Sequence, residues 1–311
     1  MNKIFYSIVT TLLLTLQVNA KTNIEVISRF EPQITSAIFA QQILKTLNSS
    51  QDEYEFKFSV TPGSAGEAAD QRAIKLARAG REVIVFGSDS SLGINRYTFG
   101  PTFDREKDLI PILGLVGGPF AVFVKPNSDI NSIAELINKL KTKEQIFFAN
   151  TTSSASSKFF GAIFTKNSNL NNVKMLNYEK SGDLILNVSN GEADYAVYPL
   201  ADAQSSLKPI MISSKSRLNN LSDVPTGIEL GYKDFSYNTL TLFSVPKEQE
   251  ELGRKIQEIF MQACLNDSIL KELAKDNMQI LYCFNKQQIF EKVQSDINII
   301  EKYPDFKVYL K

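Results

Sequence analysis

The stretch that most constrains this chain is residues 148–164, FANTTSSASSKFFGAIF. It starts in a short apolar run, residues 146–149, which fits a strand covered on both faces. A loop rich in hydroxyl and amide groups follows at 150–157, and residues 158–164 turn helical and apolar. Such a loop leaves backbone N–H groups free at the positive end of a helix dipole, which suits an anion such as a carboxylate or phosphate. The alternative, favoured on this stretch alone, is a helix simply capped by Ser or Thr.

The first 20 residues have the pattern of a secretory signal peptide. Lys3 supplies a short positive region, residues 4–16 are apolar, and residues 18–20, VNA, form an exit of the A-x-A type. We therefore expect cleavage after Ala20 and a periplasmic mature protein. The alternative is an uncleaved membrane anchor, for which the apolar run is short.

Composition narrows the classes of function that remain. The 34 basic and 34 acidic residues cancel without forming long blocks, which argues against a nucleic-acid partner. The chain has no His, the commonest metal ligand and general base. We expect no metal site and no cofactor. An enzyme is disfavoured because the candidate acids Glu31, Glu67 and Asp89 accompany no recognisable nucleophile motif.

The two Cys residues, Cys264 and Cys283, can form a disulfide in an exported protein. Cys264 falls late in a helix-like segment and Cys283 ends the strand-like segment that follows. A helix packed on this strand would bring them together. Two buried free thiols are the alternative, and the compartment favours the disulfide.

Strand-like and helix-like segments alternate along most of the chain, which predicts an α/β architecture with mostly parallel sheets. The predicted strands are residues 24–27, 54–60, 83–86, 109–116, 120–124, 146–149, 173–176, 194–198 and 209–212. The predicted helices are residues 36–47, 67–79, 132–140, 158–164 and 184–188. Thr35 or Ser36 is the predicted N-cap of the first helix, and Ser132 with Glu135 a capping box of the third.

Helix-like segments dominate the C-terminal part of the chain, which predicts that this part covers one domain with helices. A strand at 237–245 leads into a helix at 246–265, and Asp267 caps another helix that ends at Asp276. A short strand at 279–283 precedes an amphipathic helix at 285–302. Its predicted apolar side consists of Ile289, Phe290, Val293, Ile297 and Ile300.

Five sequence segments occur in a fixed order. They are TPGSAG at 61–66, DLIPILGL at 108–115, VFVKP at 122–126 with SIAELI at 132–137, the loop and helix at 148–164, and SDVPTGIELGY at 222–232. In order and spacing they resemble the extracytoplasmic solute-binding receptors of tripartite tricarboxylate transporters, the Bug family. The last segment is close to the family pattern D-V-P-T-x-x-E-x-G. The resemblance covers nearly the whole mature chain.

The resemblance implies a periplasmic binding protein fold of the type II kind, with two α/β domains around a ligand cleft and a helical C-terminal tail. The chain would cross between the domains near residues 117–126 and 233–245. We therefore expect a discontinuous first domain, residues 21–120 plus 242–311, and a second domain, residues 121–241.

The resemblance also implies the ligand site. In the family, loops from both domains close over a small carboxylate, held by backbone amides, hydroxyls and bridging waters. On this sequence the ligand-binding residues would be Pro32, Gln33, Thr35, Ser64, Ser88, Asp89, Thr151, Thr152, Ser153, Ser154, Ser156, Tyr178 and Tyr198.

Several positions depart from the family pattern and bear on ligand identity. The first loop, usually P-G-G-x-T-D, reads EPQITS at 31–36 and lacks the glycines that let a backbone approach a ligand closely. Lys158 replaces a usual His, and Tyr198 lies where family members usually carry an Asp. Lys158 and Lys180 could supply positive charge; the alternative is a solvated surface lysine.

The implied function is that of a monomeric receptor that captures a small organic anion, a carboxylate, in the interdomain cleft. It would deliver this ligand to the membrane subunits of a tripartite tricarboxylate-type transporter. The alternative is an orphan ligand sensor of the same fold that signals to a membrane partner such as a sensor kinase. A scaffold that has lost its old ligand is a further alternative.

Overall fold

Two β-sheets with helices packed on them form the framework of the protein. The structure, a computed structural model, describes residues 21–63, 66–95, 97, 108–152 and 154–306. The predicted signal peptide, residues 1–20, lies outside the described residues. Within the described ranges, no helix combines the length and the apolar character needed to cross a bilayer.

The order of elements follows the alternation expected from the sequence. The strands are β1 Thr22–Ser28, β2 Tyr54–Val60, β3 Val83–Ser88, β4 Leu109–Gly117, β5 Phe120–Val124, β6 Ile146–Thr151, β7 Val173–Tyr178, β8 Tyr195–Pro199, β9 Lys208–Ile212, β10 Thr241–Pro246 and β11 Ile280–Phe284. The labelled helices are α1 Thr35–Ser50, α2 Glu67–Arg78, α3 Ile133–Lys141, α4 Ala155–Asn167, α5 Ser181–Asn190, α6 Leu200–Ala203, α7 Glu250–Asn266, α8 Ser268–Asp276 and α9 Lys286–Ile300.

The first sheet has the strand order β11-β4-β10-β3-β1-β2. β1 pairs in parallel with β2 and β3, since α1 and α2 return the chain to the starting edge between these strands. β10 runs antiparallel to both β3 and β4, and β11 runs antiparallel to β4. The prediction of mostly parallel sheets is therefore wrong. The sheet is mixed because β10 and β11 join it late in the chain and from the opposite direction.

The second sheet has the strand order β7-β6-β8-β5-β9. β6 pairs in parallel with β7 and β8, whereas β5 runs antiparallel to β8 and β9. The chain passes from the first sheet to the second between β4 and β5, and it returns between β9 and β10. The loop after β5 therefore lies at the edge of the sheet opposite to the loops after β6, β7 and β8.

The helix α9 connects the cores of the two sheets. Its residue Ile289 packs with Leu240 and Leu242, next to the first sheet. Ile300 at its end joins the core cluster around Phe159 of the second sheet, together with Tyr303 and Phe306 that follow. The C-terminal tail therefore packs against both sheets. Phe290 is 37% exposed, so its predicted place on the buried side of the helix is wrong.

Most predicted elements are present, and their ends differ for local reasons. Ile34 precedes α1 and its side chain makes no cap, so the predicted Thr35 or Ser36 cap is wrong. Ser132 accepts from the backbone of Glu135 as predicted, but the Glu135 carboxylate accepts from Asn131 rather than closing the box on Ser132.

The C-terminal predictions fare similarly. Asp267 caps α8 as predicted, since its carboxylate accepts from two backbone N–H groups of the first turn. Cys264 and Cys283 form the predicted disulfide, which joins the end of α7 to β11. The strand predicted from residue 237 begins only at Thr241, and α7 begins at Glu250 after a short 3₁₀ turn, Lys247–Gln249.

Candidate functional site

The polar loops predicted to bind ligand follow the carboxyl ends of parallel strands. β1 and β3 end beside each other in the first sheet, and β6, β7 and β8 do so in the second. Loops at one such edge lie close together, and ligands of open α/β sheets bind there. The helices that follow these strands begin at the same edges, so their N-termini point toward them.

The loop between β6 and α4 is shorter than its sequence suggests. β6 continues to Thr151 and α4 begins at Ala155, three residues before the predicted start at Lys158. The Ser154 side chain accepts from the Ser157 backbone N–H at 3.2 Å, and its hydroxyl donates to Ser157 Oγ at 2.8 Å. The plain cap is thus present, and the first backbone N–H groups of α4 still lack intrahelical acceptors.

The second-sheet residues Thr151, Tyr178 and Tyr198 lie together at the strand ends. The Tyr198 hydroxyl and Ser181 Oγ are 2.6 Å apart, and Thr151 lies close enough to Tyr198 to influence its pKa. The carbonyl of Tyr178 accepts from the Thr152 backbone N–H at 2.9 Å. Burial raises the pKa of Tyr198 well above its usual value, so its hydroxyl stays protonated. These contacts hold the ends of β6, β7 and β8 in one polar patch.

The first loop lies more openly at the surface. Pro32 and Gln33 are exposed, and Gln33 Nε2 donates to the Glu31 carboxylate at 2.6 Å. Glu31 is exposed as well, so its charge is solvated. The structure places this loop at the entrance to α1, as the sequence predicted, without the glycines that would bring its backbone inward.

Contacts between Thr35 and Asp202 join the two sheets at their polar edges. Thr35, at the start of α1, lies near the carboxylate of Asp202 on α6. Burial raises the pKa of Asp202, and the polar groups of Thr35 lower it in part. Asp202 was not among the predicted residues, because a single Asp in a four-residue helix carries no sequence signal.

Asp89 has a different environment from the one expected of a ligand-binding carboxylate. It is 2% exposed and forms a short ion pair with Lys292 of α9. Lys292 also contacts Asp296 at 2.5 Å and lies 4.3 Å from the centre of the Tyr237 ring. Ser88 Oγ, one residue earlier, is 2.5 Å from Ser90 Oγ. Asp89 is thus already neutralised by a lysine.

Tyr237 links this buried cluster to α4. Its hydroxyl donates to Asp89 at 3.4 Å and lies 3.3 Å from Ser156 Oγ in the first turn of α4. Burial raises the pKa of Tyr237, and the Asp89 carboxylate raises it further. A cavity of about 10 Å³ between these groups has room for roughly one water molecule. The predicted residues Asp89 and Ser156 therefore belong to one network at the junction of the sheets.

Arg29, which the sequence analysis did not single out, is buried next to the carboxyl ends of β1 and β3 in the first sheet. Its side chain is 6% exposed and its Nη2 donates to the buried Asp70 carboxylate at 3.1 Å. The guanidinium lies against Gly66 and Gly87, where a Cβ would come within 2.5 and 2.7 Å of it. A side chain at either position would have to displace the guanidinium, and Gly66 also has a φ of 89°, which favours glycine.

The remaining predicted residues are placed as follows. Ser64 and Ser153 lie outside the described residues. Thr152 is exposed and its hydroxyl donates to Glu179 at 3.2 Å. Lys180 is exposed just before α5, and Lys158 is half-buried in the first turn of α4.

Other candidate features lie away from this region or are absent. A surface cavity of about 410 Å³ between α1 and β2 contains none of the predicted ligand residues. In the part of the chain that the structure describes, no cluster of three or more Cys, Asp or Glu side chains is arranged to hold a metal ion.

Comparison with known proteins identifies the family. The model of the tripartite tricarboxylate transporter family receptor matches residues 62–303. The chain belongs to this receptor family. Members of the family are solute-binding receptors rather than enzymes.

Comparison with solved structures shows that this chain has a type II periplasmic binding protein fold. The Rhodopseudomonas palustris protein Rpa4515, solved with adipate, superposes with a TM-score of 0.78, at 16% identity, over 92% of this chain and 97% of its own. MatC from the same species, solved with bound malate, gives a TM-score of 0.76, at 16% identity, over 91% of this chain and 99% of its own. At such identities the likeness shows the shared fold.

A curated relative of this receptor extends the comparison in sequence. A UPF0065 protein of Bordetella bronchiseptica is 25% identical over 170 residues, which is 53% of this chain and 50% of that protein. The match therefore spans about half the length of the curated relative.

Proposed function

We propose that this receptor captures a small organic anion, a carboxylate, in a cleft between the polar edges of its two sheets and delivers it to a tripartite tricarboxylate-type transporter. The proposed domains are residues 21–120 plus 242–311 and residues 121–241. Export through the signal peptide at residues 1–20, cleaved after Ala20, would place the receptor in the periplasm.

The observation that carries this proposal is the arrangement of α4. Its N-terminus, with free backbone N–H groups and the Ser154 cap, lies at the edge of the second sheet that adjoins the first sheet through Tyr237 and Asp89. An anion bound there would be stabilised by the helix dipole and by N–H donors, without any metal. Two proteins of this fold were solved with dicarboxylates, adipate and malate, which fits an anion of this class.

We propose a narrower set of residues as ligand contacts. Thr35, Thr151, Ser154, Tyr178 and Tyr198 lie at the adjoining edges. Pro32, Gln33, Ser88 and Thr152 flank them, and the predicted contacts of Ser64 and Ser153 stay a prediction. We assign Asp89 and Ser156 to the network that supports the site, because Lys292 and Tyr237 already engage them.

The test is a calorimetric titration of the mature chain, from Lys21 onward, with a panel of mono-, di- and tricarboxylates, alongside a thermal-shift screen. A ligand present at about 100 times its dissociation constant should add roughly 2.7 kcal/mol of stability. No binding by any carboxylate would overturn the proposal.

Two matched variants separate ligand contact from helix capping. Ser154 and Ser132 both cap a helix N-terminus in the same way, but Ser132 begins α3 at the opposite edge of the second sheet. Each Ser→Ala change should cost about 1 kcal/mol of stability. The Ser154 hydroxyl donates to Ser157 Oγ in this structure and would turn to the ligand on binding. Only Ser154→Ala should therefore weaken carboxylate binding, by roughly 10-fold, through loss of a hydrogen bond to a charged group. Equal affinity in both variants would contradict a ligand site at α4.

A further inference from the structure

Asn150 is the last but one residue of β6, and the loop that leads into α4 follows Thr151. It is 2% exposed, and its Nδ2 donates to the carbonyl of Thr151 at 2.8 Å and to Asn177 Oδ1 on β7 at 3.2 Å. Its Oδ1 is buried and has no hydrogen-bond donor within reach. Buried side-chain oxygens normally have a donor, so this atom needs an explanation.

The orientation of the Asn150 amide follows from its partners. The backbone carbonyl of Thr151 can only accept, so rotating the Asn150 amide by 180° would place Oδ1 against another oxygen. The nitrogen must therefore face this carbonyl, and Oδ1 points away. Because Nδ2 reaches the carbonyl of the next residue, Thr151, the amide leans forward over the end of the strand.

The side chain of Asn150 lies beneath the first turn of α4. It is on the same face of the sheet as Phe148, whose ring packs against Gly161 of α4. Two residues along a strand cover about 6.6 Å, the rise of roughly four helical residues. Since α4 runs back over the strand, this step leads from Gly161 to about Ser157, in the first turn. The unpaired oxygen thus belongs to a side chain on the face of the sheet that the first turn of α4 covers, next to the helix N-terminus proposed to bind the carboxylate.

We infer that Asn150 Oδ1 accepts a hydrogen bond from the ligand, and that the ligand is a carboxylate with a hydroxyl or ammonium group on the carbon next to it. The inference rests on the proposed function, because the carboxylate is what α4 would hold. The backbone N–H groups of α4 would donate to the carboxylate, and the nearby Asn150 Oδ1 would accept. Such a site selects a ligand that carries a hydrogen-bond donor next to its carboxylate. A plain acid would leave the Oδ1 atom unpaired.

The experiment compares matched ligands on the unmodified mature chain. Calorimetric dissociation constants are measured for succinate, malate and aspartate, and for propionate, lactate and alanine, which differ only in the group on the α-carbon. We expect the hydroxy or amino acid of a series to bind roughly 10-fold to 100-fold more tightly than its parent, the range for satisfying a buried polar group. Comparing the hydroxy acids with the amino acids shows whether the site prefers a hydroxyl or an ammonium group as the donor.

The Asn150→Ala variant tests whether Asn150 causes the preference for α-substituted acids. Asn150→Ala should bind the parent acid about as well as the wild type does and should lose the preference for the α-substituted acid. Asn177→Ala removes the neighbouring amide but keeps the Oδ1 acceptor of Asn150, and it should retain the preference. Circular dichroism and melting temperature report whether each variant is folded. The ligand series on the wild-type protein tests the inference even if a variant does not fold.

The outcomes are distinguishable. Tight binding of parent and substituted acids alike would overturn this inference and leave the proposed function intact. A preference that persists in a folded Asn150→Ala variant would overturn the role of Asn150. Failure of every carboxylate to bind would overturn the proposed function and this inference together.

Discussion

At the scale of single residues, buried charge organises the junction between the sheets. Asp89 and Asp296 both contact Lys292, so three ionisable groups share one small volume with Tyr237 above them. Burial and the nearby Asp89 carboxylate raise the pKa of Asp296 to about 7, against the opposing attraction of Lys292. Tyr282 of β11 also faces the cluster, and burial raises its pKa. The cluster thus contains one acid that titrates near neutral pH.

This titration gives the stability of the protein a pH dependence of defined sign. A carboxyl whose pKa is higher in the folded state favours folding when protonated. Its contribution is therefore complete below the unfolded pKa of about 4 and is lost as the pH rises to about 7. The slope from Asp296 is at most about 1.4 kcal/mol per pH unit. Urea unfolding from pH 4 to 8 should show the Asp296→Asn variant gaining stability relative to the wild type as the pH rises.

Asp234 is the control for this experiment. Its pKa is lowered by hydrogen bonds from Lys302 and Tyr303, which outweigh the opposing effect of burial. It therefore favours folding above its unfolded pKa and loses this contribution as the pH falls. Asp234→Asn should lose stability at neutral pH, opposite to Asp296→Asn. Parallel pH profiles for Asp296→Asn and the wild type would show that Asp296 titrates normally.

At the scale of elements, the unit of β6 and α4 fixes the proposed site. The helix lies close to its strand because Gly161 faces the Phe148 ring, where a Cβ would come within 2.2 Å of Cζ. This contact sets the height of α4 over the sheet and, with it, the position of the Ser154 cap above the strand end. Glycine at 161 therefore controls the geometry of the helix N-terminus from two turns away.

Gly161→Ala should push α4 away from β6 and cost about 1–3 kcal/mol, in the range of overpacked cores. Gly182, in the first turn of α5, is the matched control, since a Cβ there meets nothing within 4 Å. Gly182→Ala should be neutral or raise stability by up to about 1 kcal/mol, because alanine loses less backbone entropy on folding. Thermal unfolding of the two variants measures the difference, and equal melting temperatures would refute the close packing.

At the scale of the whole molecule, the segment after α9 ties the two sheets together. Tyr303 and Phe306 pack on Phe159 of α4, and the two ring pairs have centroid distances of 6.2 and 5.1 Å. The same helix begins on the first sheet through Ile289. The chain passes between the sheets twice between strands. The helix α9 and the residues after it form a third connection, because their side chains pack on both sheets.

Phe306→Ala should lower stability by about 3–5 kcal/mol, the usual cost of removing a large buried side chain. Phe306 is 1% exposed, whereas Ile269, which is 50% exposed, provides a control in which truncation to Ala should change stability by less than about 0.5 kcal/mol. Hydrogen exchange should show the loss of protection concentrated in β6 and α4. Loss of protection spread evenly over both sheets would contradict this localisation.

The sequence by itself determined the order of strands and helices, the family and the Asp267 cap, and it favoured the disulfide over two free thiols. The elements and the cap depend on local properties, the period of apolar residues and capping groups a few residues apart. The family depends on the order of five segments along the chain. The sequence also predicted a polar loop between β6 and α4, but it made this loop too long, since β6 continues to Thr151 and α4 begins at Ala155. The sequence did not predict the exposure of Phe290, because the width of the buried face depends on what packs against the helix. It also missed the start of α1, because Ile34 precedes the helix without a capping side chain.

Only the tertiary structure decided how the sheets mix and which polar groups stay free. Asp89 and Lys292 are 203 residues apart, and no local pattern records that β3 and α9 meet. The same holds for Thr35 with Asp202, for Arg29 with Asp70, and for the direction in which β10 enters the first sheet. Such contacts form between elements that are individually stable in many arrangements, so their partners depend on the packing of the whole chain. The availability of Asn150 Oδ1 and the neutralisation of Asp89 are consequences of that packing.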